Sequence, residues 1–219
     1  MIEILISGEI RKVIPEIRLG CIKAAVEILP SSKDLLKHID EACNDLKDRM
    51  QVDEVSRIEI IKNTKDAYRQ LGKDPSRYRP SAEALTRRVV QGKGLYQVNN
   101  IVDALNVISI KHGFSIGGYD LDRIDGMVEL GIGRKDEPYE AIGRGHLNIE
   151  HLSILRDRKG AFGSPTSDSG RTMIRGETRD FLMVFFDFSG SYKLQEAMDD
   201  AVALYRDFCD VQEMEIIIY

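Results

Sequence analysis

Cysteine is scarce in this chain, and the three present, Cys21, Cys43 and Cys209, are far apart, odd in number and never in a C-x-x-C pair. That excludes a disulfide scaffold and suits a reducing compartment, the cytoplasm, with the thiols buried as small apolar groups. Long apolar runs are missing too: none approaches the roughly 20 residues of a membrane span, so no membrane partner is expected. Met1–Ser7 is short and carries Glu3, which argues against a signal peptide. There is no Walker-type glycine loop, and no nucleophile stands in a recognised spacing with a base and an acid. His146 and His151 lie five apart with no Cys or carboxylate at a zinc spacing, so neither a metal nor another cofactor is expected. An excess of positive charge is also absent, with 31 Lys and Arg against 36 Asp and Glu, net charge −5 and pI near 5.5. A protein that coats nucleic acid non-specifically is thereby excluded, no DNA partner is expected, and any RNA contact should be local.

What is present reads as one domain over residues 1–219, with 42% hydrophobic residues to build a core. Met1–Ser7 alternates weakly and is rich in Ile, so a strand is expected there, and Leu19–Ile28 reads as a second strand. Leu35, Leu36, Ile39, Cys43 and Leu46 recur at three and four, predicting an amphipathic helix over Ser32–Met50. A second helix covers Ile58–Leu71 and ends at Gly72, and a third begins at Pro80, with Glu83 at the positive end of its dipole. Several short strands are expected between Met127 and Leu155. Arg158–Thr172, poor in apolar residues and rich in Gly, Ser and Thr, reads as a surface loop. Phe181–Phe188 reads as a buried strand, Tyr192–Cys209 as a helix with an acidic solvated face, and EMEIIIY as a closing strand. Strands bracketing central helices give an α+β class with a mixed or sandwiched β-sheet and flanking helices.

Residues 73–124 are the most diagnostic part. Six cations (Lys73, Arg77, Arg79, Arg87, Arg88, Lys93) against two anions (Asp74, Glu83) give residues 73–94 a local charge of +4 inside an acidic chain. A polyanionic partner is the natural implication. In the helix that follows, at about 100° per residue, Asn99, Asp103 and Asn106 fall on one side and Ile101, Leu105 and Ile108 on the other, so one face packs and one is free to bind. His112, on the apolar side near the helix end, is expected as a cap or core histidine.

The segment GLYQVNNIVDALNVISIKHGFSIGGYDLDRI, Gly94–Ile124, resembles the B3/B4 editing domain of the phenylalanyl-tRNA synthetase beta chain, at Gly94, Leu95, Val102, Asp103, Asn106, Gly113, Asp120, Asp122, Arg123 and Ile124. RPSAEALTRRV, Arg79–Val89, resembles a segment of the free-standing proteins built around that domain. The resemblance implies the same α+β fold. It also implies a stand-alone domain that binds RNA, tRNA or the aminoacyl-tRNA 3′ end, with hydrolysis of mischarged aminoacyl-tRNA in trans as its reaction. Phenylalanine-tRNA ligase activity is not expected, because no ATP-binding catalytic module is present.

On that resemblance Asp168 and Asn106 are the catalytic candidates. Asn99, Asp103, Gly117, Gly118, Thr166 and Arg171 are the substrate-binding ones, and Arg79, Arg87 and Arg88 contact tRNA phosphates. Three positions depart from the family pattern: Tyr96 stands for an arginine, Leu105 for a threonine and Gly117 for a histidine. Two readings are open, a rearranged pocket built on Asp168, Arg171 and Asn106, or a pocket that has lost hydrolysis and kept binding. A different class stands beside both: a non-catalytic module that holds a free amino acid or a protein partner in the same cleft.

Overall fold

The computed structural model describes residues 3–219, so Met1 and Ile2 of the first expected strand lie outside the described residues. Two four-stranded sheets form a sandwich, and helices cover the outer face of one of them. The first sheet takes β1 (Ile4–Ile6), β4 (Val128–Ile132), β7 (Ser153–Asp157) and β8 (Gly160–Gly163) in that order, with β1 parallel to β4 and the other pairs antiparallel. The second is antiparallel throughout, in the order β10 (Met214–Ile218), β2 (Arg18–Ala25), β9 (Asp180–Asp187) and β3 (Ile116–Asp120). A two-stranded ribbon, β5 (Glu140–Ala141) with β6 (Gly145–His146), stands beside them. The α+β class with mixed and sandwiched sheets is therefore what the chain adopts.

Strand parity divides the core. Leu19 and Cys21 of β2 and Leu182, Val184 and Phe186 of β9 point between the sheets, onto Val128, Leu130, Leu155 and Phe162. Their neighbours Ile22, Ala24, Phe181, Met183 and Phe185 point the other way. There they meet α2 (Lys33–Arg49), α5 (Asn100–His112) and α6 (Lys193–Cys209). Burial on both faces is why β9 reads as a continuous apolar run. Each helix starts and stops where its termini can be satisfied: Ser32 Oγ accepts from the Leu35 amide at 3.1 Å, and Gly72, at φ +90°, closes α3 (Glu59–Leu71). Pro80 precedes α4 (Ser81–Val90), and α1 (Gly8–Val13) is a short helix that the periodicity does not announce.

Two expectations are corrected. Arg158–Thr172 is not a surface loop: it opens with β8, and Ser164, Thr166, Ser169 and Thr172 are buried. Its backbone is paired on both sides, Ile142 N–H to Asp168 O at 2.9 Å and Asp120 N–H to Thr172 O at 2.9 Å, so the segment closes the sandwich edge between β8 and β3. Paired polar backbone can be buried without apolar side chains. The polar side of the Asn-rich helix is only partly free: Asn106 reaches a cleft, but Asn99 and Asp103 are held by hydrogen bonds within the fold. Asp103 accepts from Val98 N–H at 2.8 Å and Ser31 Oγ at 2.6 Å, while Asn100 accepts from Leu29 N–H and donates to Glu27 O, both at 3.0 Å. These polar groups clamp the strand-to-helix connection before α2 instead of facing solvent.

Candidate functional site

A cleft of about 820 Å³ opens where α4, α5, β3, the 164–174 segment and the β5–β6 ribbon converge. On α5 the stripe that reaches it is Val102, Leu105 and Asn106, spaced three and four, because the remaining faces pack on α2, α4 and α6. Leu105, read from the sequence as a core residue, thus shares the cleft with Asn106, whose amide makes no hydrogen bond among the described residues. Leu85, Ile116, Gly118, Met173 and Ile174 extend the apolar floor. A Cβ at Gly118 would meet Leu105 Cδ1 at 2.9 Å and Ile174 Cδ1 at 3.1 Å, so glycine here permits the floor to close.

Basic residues ring the opening. Arg79, Arg87 and Arg88 come from α4 and its approach, Lys93 from the α4–α5 connection and Arg144 from the ribbon; Asp168 is the one carboxylate among the lining residues. Part of that positive charge is already matched. Glu83, almost fully buried, receives Arg87 Nε at 2.9 Å, stands 3.2 Å from Lys65 Nζ and 3.8 Å from Arg79 Nε, and so anchors the base of α4. Arg88 is held differently, with its guanidinium 3.9 Å over the Tyr96 ring.

Asp168 lies at the junction of the floor and the 164–174 segment. Burial pushes its carboxyl up to about 7, against the opposing pull of the Tyr119 hydroxyl and the Ser164 and Gly118 amides. Three buried tyrosines from three distant parts of the chain brace this segment residue by residue. Tyr68 of α3 bonds Thr166 Oγ1 at 2.9 Å, Tyr139 donates to Ser167 O at 2.7 Å, and Tyr119 of β3 donates to Asp168 Oδ1 at 2.6 Å. Gly117 and Gly163 make room for Tyr119, since a Cβ on either would stand 2.0 or 2.3 Å from its hydroxyl. None of these tyrosines carries a signal in the sequence, because each owes its role to a partner 28 to 98 residues away.

A family model described as the B3/4 domain matches residues 63–210. The chain belongs to the B3/4 domain family. No curated protein matches it. Among solved structures, the N-terminal fragment of the phenylalanyl-tRNA synthetase beta-subunit from Pyrococcus horikoshii is similar, with a TM-score of 0.51 and 10% sequence identity. The match covers 99% of this chain and 54% of that one, so the B3/4 domain chain spans about half the fragment's length. At that identity the likeness is one of fold.

Within the B3/4 domain the sequence-derived candidates fall into two groups. Asp168, Asn106, Gly118, Thr166, Arg79, Arg87 and Arg88 line the cleft together. Asn99, Asp103, Gly117 and Arg171 do not. Asn99 Oδ1 caps α5 by accepting from Val102 N–H at 2.9 Å, and Gly117 faces the space between the sheets, as strand parity requires. Arg171 grips Asp157 through two nitrogens at 2.8 and 3.0 Å. His112 Nε2 pairs with the Asp200 carboxylate of α6 at 2.7 Å. Among the described residues no His, Cys, Asp and Glu group could hold a metal ion, the three cysteines are free, and no helix is long and apolar enough to cross a membrane.

Proposed function

We propose that the cleft takes the aminoacylated 3′ end of a tRNA and hydrolyses the ester of a wrongly attached amino acid in trans, in the cytoplasm, with residues 1–219 acting as one domain. The observation that carries this reading is the convergence of five basic side chains on a cleft whose one lining carboxyl has its pKa near neutrality. A group poised near the working pH is half available as a base and half as an acid.

In this reading the basic rim, Arg79, Arg87 and Arg88 above all, holds the phosphates and the amino-acid side chain enters the apolar floor. Asp168 takes a proton from water as the water oxygen attacks the ester carbonyl. The Asn106 amide donates to the oxyanion, and the carbonyl–ribose oxygen bond breaks. The proton returns to the departing ribose oxygen, leaving free amino acid and tRNA. Gly118 and Thr166 contact the substrate. Asn99, Asp103, Gly117 and Arg171 act through position: they fix α5, the tyrosine brace and the sandwich edge.

Salt dependence of binding separates this from a module that holds a free amino acid or a protein partner. With about three phosphates engaged, raising salt from 50 to 200 mM should weaken tRNA binding about 20- to 40-fold. A flat response would remove tRNA from the account.

A further inference from the structure

The lip of the cleft carries an arrangement that ester hydrolysis does not use. Tyr96 lines the opening with 58% of its surface exposed. One face of its ring is covered by the Arg88 guanidinium at 3.9 Å. Among the described residues Arg88 has no carboxylate partner and its Nε is buried without a hydrogen bond, so the ring itself is what positions this charge. A flat aromatic surface backed by a cation, among Arg79, Arg87 and Lys93, matches what single-stranded nucleic acid presents: a base to stack and a phosphate to neutralise. The apolar floor formed by Leu105, Ile116 and Ile174 lies below this lip and suits an aliphatic or aromatic side chain, not a base whose edges need hydrogen-bond partners.

Resting on the tRNA reading, we propose that Tyr96, backed by Arg88, is the stacking platform for the unpaired 3′-terminal base, which holds the ester above Asp168. The Tyr96 ring then binds the base, and Arg88 binds the adjoining phosphate while keeping the ring in place.

The test uses the full chain and an acceptor-stem RNA whose 3′-terminal base is 2-aminopurine, a fluorophore quenched on stacking. Wild type should bind in a salt-dependent way and quench the probe. Tyr96→Leu should lose the quench and weaken binding about 5- to 150-fold, the range for removing one base stack, while Tyr96→Phe keeps both. Because Tyr96 is exposed, neither variant should disturb folding, and unfolding curves check this. Salt-dependent binding with an unquenched probe, or an unchanged quench in Tyr96→Leu, overturns the platform and leaves the tRNA reading standing. No binding of the RNA by wild type overturns both.

Discussion

Replacing Asp168 with asparagine should stabilise the protein at neutral and alkaline pH while abolishing hydrolysis. An ordinary Asp carboxyl titrates at 3.8, and burial raises this one to about 7. Between those values the folded state holds a proton that the unfolded state has released, so the stability of the wild type falls as pH rises through this window and levels off above it. Three units at about 1.4 kcal/mol each make the loss on the order of 4 kcal/mol by pH 8. Asparagine keeps the shape and can still accept the Tyr119 hydroxyl, yet has nothing to ionise. Urea denaturation of both proteins from pH 4 to 8 isolates the effect, since every other group titrates in both. The stability difference should grow by about 1.4 kcal/mol per pH unit and reach a plateau above pH 7. Curves that run parallel within about 0.5 kcal/mol would show an ordinary carboxyl and refute the reasoning.

Tyr119→Phe removes the one side-chain donor to Asp168, so the carboxyl should rise further and the pH–rate profile of hydrolysis should move to higher pH. Gly117→Ala drives a methyl group into the Tyr119 hydroxyl, which is fully buried and cannot swing aside; a loss of about 1–3 kcal/mol in a denaturant titration is expected. Glu83→Gln leaves Lys65 and Arg87 without their buried counter-charge, which should cost about 3 kcal/mol of stability by the same measurement. The same variant adds net positive charge to the cleft, so tRNA affinity at low salt should increase while the protein remains folded.

The strands and helices were largely legible: β9 stands out as a continuous apolar run, and α2, α3 and α6 by apolar residues spaced three and four. The six-residue helix α1 is too short to show a period. Arg158–Thr172 defeated the composition argument because its burial depends on backbone pairing with Ile142 and Asp120, partners that lie elsewhere in the chain. The helical wheel of α5 separated its polar from its apolar side correctly, but a wheel does not reveal which side a neighbouring element covers. Asp103 and its neighbour Asn100 turned out to be clamped onto residues 27–31, and the cleft received Asn106 from the polar side together with Leu105 from the apolar one. Most of the basic rim was visible as the run from Lys73 to Lys93, whereas Arg144 arrives on a distant ribbon. The tyrosine brace under Asp168 had no local signature, and it also gives a physical reason for glycine at position 117: Tyr119 occupies the space that any side chain there would need.

Single-turnover release of labelled amino acid from a panel of charged tRNAs, run with wild type and Asp168→Asn across pH 6 to 8, tests the central claim most directly. The account predicts release from a restricted set of aminoacyl-tRNAs, a wild-type rate that rises through about pH 7, and bound but intact substrate with Asp168→Asn. Equal release by both proteins, or no release from any charged tRNA by wild type, would contradict it.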